Sequence, residues 1–165
     1  MATQTTPSPT TINASRTERY AKVRKKSYTQ TVAIAVGCLM IVIGLAGILN
    51  SEFLGLHLSA MHSLVLCAGG SLAIWSATNN DSRNAYYADL GLGIFFALNA
   101  IAGFILGRPG TPGVGYEAQD DLLLRIAPGF VELATLDHIF HAVLAVFFFT
   151  GAFSWKRRQM RRSVR

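Results

Sequence analysis

Asp137, His138 and His141 stand together at the head of an apolar run, LATLDHIFHAVLAVFFF, from Leu133 to Phe149. A further imidazole, His62, heads a second apolar run, LSAMHSLVLCAG. On a helix Asp137 and His141 are one turn apart on the same face, with His138 within about 100° of both. Imidazoles and a carboxylate grouped in this way are ligand types for a divalent metal. One imidazole from each run, on opposite sides of an iron, would instead make a bis-histidine haem site. The architectural alternative starts from the unpaired N–H groups of a helix start, for which Ser59 or Thr135 supplies an N-cap hydroxyl and Asp137 a first-turn carboxylate. Asp137 then accepts a hydrogen bond from His141, and the polar groups form a clasp. The spacing matches no specific metal motif, so the expected reading is a structural clasp of Asp137, His138, His141 and His62 with no cofactor. Haem or a divalent metal at the same residues is the alternative.

Enzyme templates fare worse. There is no phosphate-cradling Gly loop, no paired cysteine motif and no nucleophile elbow, so the sequence argues against an enzyme. Cys38 and Cys67 lie inside apolar segments, where a thiol behaves as a small hydrophobe. A small multidrug exporter needs an acidic residue deep in its first helix, and the first apolar segment has none.

The elements that carry these side chains follow from composition. A chain of 165 residues that is 51% hydrophobic and 15% charged is too apolar for an ordinary soluble domain. Four segments, residues 31–49, 59–77, 86–107 and 136–155, have about the length of helix needed to cross a hydrocarbon core. The expected organisation is a disordered, basic tail over residues 1–30, a transmembrane domain over residues 31–155 and a basic tail over residues 156–165. The long polar lead and the lack of a small-residue cleavage site argue that the first segment is a retained anchor and not a signal peptide, although the lead also has the composition of an organelle transit peptide.

The net charge of +6 comes from two clusters, Arg16 to Lys26 and Lys156 to Arg165, each abutting an apolar segment. That placement points to the anionic head groups of a lipid bilayer as the partner, not to nucleic acid. An even number of spans with basic flanks at both ends puts both termini in the cytoplasm, as a multi-pass protein of the cell membrane. The third loop, with Glu117, Asp120, Asp121 and Glu132, then faces outside. Trp75 and Trp155 fall near the inner ends of their helices, where an aromatic belt forms.

The first and third segments align without gaps, matching Gly37 with Gly93 and Gly47 with Gly103; the second and fourth match Ser59 with Thr135 and His62 with His138. The expected fold is therefore an all-α, up-down bundle of four transmembrane helices, built from two parallel hairpin repeats. Helical angles put Ala134, Asp137, His138, His141, Ala145, Phe148 and Ala152 on the inward face of the fourth helix, and Leu58, His62, Val65, Gly69, Ala73 and Ser76 on that of the second. Asn99, Gly103 and Gly107 make a small-residue edge suited to helix packing within the bundle.

Paired hairpins with polar, His-bearing entrances, here LHLSAMHSLVLCAGG and ELATLDHIFHAVLA, resemble a family of small bacterial four-helix membrane proteins grouped as a domain of unknown function. The resemblance covers roughly residues 32–153. It implies Asn or Asp followed four residues later by His at both entrances. Asp137 and His141 keep this pattern, whereas Met61 and Val65 occupy the corresponding places in the first copy. It supports the fold and implies no activity.

The expected function is a non-enzymatic membrane protein with a structural, stress-related or partner-binding role, either as a homo-oligomer or with a membrane-protein partner. The alternatives are a redox or metal-handling protein using the histidine cluster, and a small-solute transporter or transporter subunit. The topology is directly checkable: a cytoplasmic reporter fused after Arg165 should be active, and an active periplasmic reporter at that place would overturn it.

Overall fold

The structure is a computed structural model that describes residues 26–79, 81–113, 119–127 and 130–163. The basic tail expected before the first span lies almost wholly outside them. Four helices dominate: α1 (Tyr28–Leu49), α2 (Ala60–Thr78), α3 (Ser82–Leu106) and α4 (Thr135–Ser163). All four are long and apolar enough to cross a membrane, as lipid requires of a segment that satisfies its own backbone.

Each start has a local cause. Ser27 accepts from Gln30 N at 3.3 Å while Gln30 Oε1 accepts from Ser27 N at 3.0 Å, a capping box that begins α1. Ser59 caps α2 and Asp81 caps α3. Gln30 also donates to the carbonyls of Ala77 and Asn79, tying the start of α1 to the end of α2.

The chain is not purely helical, and the departures lie in the loops. Between α1 and α2, strands β1 (Glu52–Phe53) and β2 (Leu56–His57) form a hairpin. Its turn has positive φ at both Leu54 (57°) and Gly55 (76°), as the tightest hairpin turns require. Between α3 and α4, the segment expected as a loop instead makes β3 (Arg108–Gly110), β4 (Asp120–Ala127) and β5 (Val131–Leu133), an antiparallel sheet in the order β3–β4–β5. Its central strand, DDLLLRIA, is apolar enough to cover the end of the bundle. Both sheets lie at the same end of the molecule, capping the N-termini of α2 and α4. The other end carries the tails. There α4 continues to Ser163, so most of the C-terminal basic tail is helix, and Trp155 stacks on Tyr86 at 4.5 Å.

Helices α1 and α2 pack most closely, as do α3 and α4. The first seam rests on glycine. A Cβ on Gly70 would lie 2.5 Å from the Gly37 carbonyl oxygen, and one on Gly44 would lie 2.7 Å from Cys67 Sγ. The expected face of α2 is buried at Leu58, His62, Ala73 and Ser76; this contact extends it to Ser63, Leu66 and Gly70, while Val65 and Gly69 are only half-buried, Gly69 under Met40. The expected face of α4 is buried throughout, from Ala134 to Ala152.

Gly103 is a true packing residue, because any side chain there would overlap the His138 ring. Gly107 packs against the Leu122 carbonyl of β4 and not against a helix. Asn99 is no cross-helix contact either; its amide donates to Phe95 O of its own helix at 2.9 Å.

Backbone approach of this kind leaves no room for a branched side chain. Gly70→Val should therefore lower stability by about 1–3 kcal/mol through overpacking. Gly91 has nothing within 4 Å of its would-be Cβ, so Gly91→Ala should be neutral or stabilise by up to about 1 kcal/mol. Thermal unfolding of the purified protein in detergent compares the two.

Candidate functional site

The polar residues expected to matter do gather, at the sheet-capped end, but with partners other than those expected. Asp137 is fully buried. Its Oδ2 accepts from Ala134 N at 2.7 Å, closing the first turn of α4 from within. Its Oδ1 accepts from His57 N at 3.1 Å, reaching across to β2. His141 is not its partner. Thr135 is not the N-cap of α4 either: it is the first helical residue, and its N–H and hydroxyl both donate to Asp120, the hydroxyl at 2.8 Å. Two carboxylates thus meet the N-terminus of α4, where the helix dipole favours negative charge.

His141 turns instead to His62, with Nε2 to Nε2 at 3.3 Å and the rings edge to face. The hydrogen positions follow from the acceptors. His62 Nδ1 lies 3.0 Å from the His57 carbonyl, which can only accept, so Nδ1 carries the hydrogen and Nε2 presents a lone pair. His141 Nε2–H then donates to that lone pair. A directed chain results, from His141 through His62 to the His57 backbone, with Phe96 packed on His141 at 5.3 Å between ring centroids.

His138 does not join them. Its Nε2 donates to Leu122 O at 2.7 Å, holding β4 against α4, and its ring fills the space above Gly103. The duplicated pattern matched His62 with His138, but the ring that His62 meets is that of His141.

His57 is the residue that the sequence left outside the site and the structure puts at its hub. Its N–H binds Asp137, its carbonyl accepts from His62, and its ring Nε2 stands 3.9 Å from Glu132 Oε2. Glu132 is itself buried, paired with Arg125 Nε at 3.3 Å and accepting from Gly113 N at 2.5 Å. Burial pulls the His57 imidazole below its usual range, with Glu132 opposing the shift. Next to this ring opens a cleft of about 420 Å³, lined among others by Ser51, His57, Ser59 and Glu132.

The arrangement bears on ligation. Among the described residues no group of three His, Cys, Asp or Glu side chains is assembled as a metal site. Asp137 has both oxygens engaged and approaches His62 on the Nδ1 side at 4.0 Å, away from the His62–His141 contact. Axial imidazoles on opposite sides of a haem iron, each about 2 Å from it, would hold their nitrogens about 4 Å apart, wider than the 3.3 Å of the His62–His141 contact. Two ligands of a tetrahedral ion would be about 3.3 Å apart, so that contact alone does not separate a hydrogen bond from a shared tetrahedral metal.

A second buried acid was missed altogether. Asp89, on α3, is 0% exposed, and neither of its oxygens has a hydrogen-bond partner. The sequence held the signal, an ionisable residue inside an apolar helix.

These features define a multi-pass membrane protein with four helices and an internally bonded polar cluster at its sheet-capped end. No protein-family model, curated protein or solved structure matches the chain.

Both Asp137 oxygens accept from backbone N–H groups, so an amide, with one oxygen, satisfies only one of them and turns a donor toward the other. Asp137→Asn should cost about 1–3 kcal/mol of stability, measured by thermal unfolding in detergent. A loss within error would mean that the two bonds do not hold the hairpin to α4. The pH dependence follows from His57. Its ordinary value is 6.5 and burial lowers it in the fold, so its contribution is fully present above 6.5 and fades as pH falls toward the folded value. The unfolding midpoint should drop on acidification to about pH 5, and drop less in His57→Asn, which keeps the backbone bonds.

Proposed function

We propose that this is a non-enzymatic membrane protein whose four-helix bundle holds a rigid, sheet-capped end in a structural or partner-binding role. The observation that carries the reading is the use made of Asp137, whose two oxygens are both occupied by backbone N–H groups. A carboxylate so committed joins elements together. It is not held ready as a base or a ligand. Asp120 is used in the same way, on Thr135 and Leu122.

A partner-binding role draws support from the outer surface of the cap. Leu54, Ile126 and Phe130 are all more than half exposed on the two sheets, beyond the ends of the apolar helices. Leu54 occupies a left-handed backbone position, which costs a non-glycine residue about 1–3 kcal/mol. We read the cap as lying outside the cell and the exposed cations Lys156, Arg157, Arg158 and Arg161 as lying against anionic head groups on the cytoplasmic side. The bundle is further read as a duplicated hairpin. Supporting this, Gly47 and Gly103, which align in sequence, each face the other helix of their own hairpin.

Purification of the full chain tests the reading against its main rival. The preparation should be colourless and free of stoichiometric metal. A Soret band, or one equivalent of metal lost on His62→Ala and on His141→Ala, would overturn it in favour of a redox or metal-handling protein.

A further inference from the structure

Asp89 has no place in the cluster just described. It lies at the other end of the α3–α4 seam, about 15 Å along α4 if measured from His141 to Gly151 at 1.5 Å per residue. Phe96 and Phe148, parallel and 6.1 Å apart, fill the interval. The carboxyl is fully buried, and its two oxygens find no donor among the described residues. Its seat is a glycine: a Cβ at Gly151 would overlap Asp89 Oδ2, and Val32 of α1 closes the same space. The hydroxyls of Thr29 and Ser154 are both committed to the Gly151 carbonyl, at 3.0 and 2.8 Å. Among the described residues no ion pair reaches it.

Asp89 cannot be capping its own helix. The N-cap of α3 is Asp81, and Asp89 lies two turns further in, beyond the reach of the orphan N–H groups and of the dipole. A carboxylate without hydrogen bonds or a counter-charge in such surroundings costs several kcal/mol, and residues of this kind inside membrane helices mark ion and proton sites. A metal ion would need further ligands, and none are assembled here among the described residues. A proton needs no more space than the seat already provides.

We propose that Asp89 is a proton-binding site of the bundle, a carboxylic acid held between α3 and α4 at Gly151. The proton is the ligand that lets the carboxyl be enclosed there without a donor. This goes beyond the structural reading of the sheet-capped end, which uses none of these residues.

Infrared spectroscopy of the full chain in lipid vesicles at neutral pH reads the proton directly, because the carbonyl stretch of a carboxylic acid is separate from those of carboxylates and amides. We expect a carboxylic acid band in the wild type that is lost in Asp89→Asn and retained in Asp137→Asn. The same band unchanged in Asp89→Asn, or no such band in the wild type, would overturn the proposal.

Should Asp89→Asn fail to fold, the wild type alone supplies the second measurement. Dicyclohexylcarbodiimide, an apolar reagent, takes the proton of a carboxylic acid on nitrogen. The carboxylate then adds to its central carbon, and the acyl group migrates to nitrogen as a stable N-acylurea, with no group lost. Peptide mass spectrometry should find this adduct on Asp89 at neutral pH, with the yield falling as the solution is made alkaline. An Asp89 that reacts instead with a charged, water-soluble carbodiimide and an added amine would be a solvent-reached carboxyl and not one enclosed in the seam, and the proposal would be wrong.

Discussion

The two hydrogen bonds of the Asp137 carboxylate hold the sheet-capped end together. One closes the first turn of α4 on Ala134 N, and the other takes the N–H of His57, distant in sequence on the β1–β2 hairpin. The second bond helps to fix where the hairpin sits, and with it the position of the His57 carbonyl over His62 Nδ1. The His62–His141 contact depends on that in turn, since the carbonyl orients the His62 ring and leaves Nε2 as an acceptor. Hydrogen bonds to a charged acceptor contribute more than neutral ones, about 1.5–3 kcal/mol each. Loss of that acceptor would leave buried N–H groups unmet on two elements at once.

Glycine does for the helices what Asp137 does for the loops. Apolar side chains alone give lipid-embedded helices little reason to choose one another, because lipid tails are equally apolar; close backbone approach supplies the missing contact. In α1 the glycines at 37, 44 and 47 all meet α2 or the residues leading into it, with Gly37 and Gly70 each against the other's carbonyl. In α3 the equivalent service is done against side chains, Gly93 receiving Phe149 and Gly103 receiving His138. That difference explains how one seam can be an apolar backbone contact while the other holds a buried imidazole.

The parts of the fold that were readable in advance are those set by local periodicity. The spans followed from hydropathy and length, and the inward face of α4 from helical angles, because both depend on residues a few positions apart. The α2 face was read correctly at Leu58, His62, Ala73 and Ser76 but too narrowly, since the glycine contact with α1 also buries Ser63, Leu66 and Gly70. The strands were unreadable for a related reason: DDLLLRIA has no alternation, and only its Leu123 is buried. Membership of the site was legible only as a collection of residue types. Which atom meets which depends on chain-distant pairings, so the expected Asp137–His141 bond gave way to His57 and Ala134 for one residue and His62 for the other. Asp89 could have been found, since it falls inside the third expected span, residues 86–107, as an acid among apolar residues.

The contrast between Asp89 and Asp137 shows what decides the role of a buried acid. Both are fully enclosed aspartates on apolar helices, Asp89 in the α3–α4 seam and Asp137 against the β1–β2 hairpin. Asp137 is in the first turn of its helix, where unpaired N–H groups point toward it and the dipole adds to the attraction. Backbone N–H groups alone satisfy both of its oxygens, and it joins two elements. Asp89 lies in the interior of its helix, where every backbone N–H is already bonded to a carbonyl one turn earlier. Neighbouring side chains are then the only source of partners, and α4 offers a glycine there while α1 offers a valine. A structural acid would be matched by a donor at that place. The bundle instead provides room beside the oxygen and nothing to bond it, which is the arrangement suited to a group whose partner is a mobile proton.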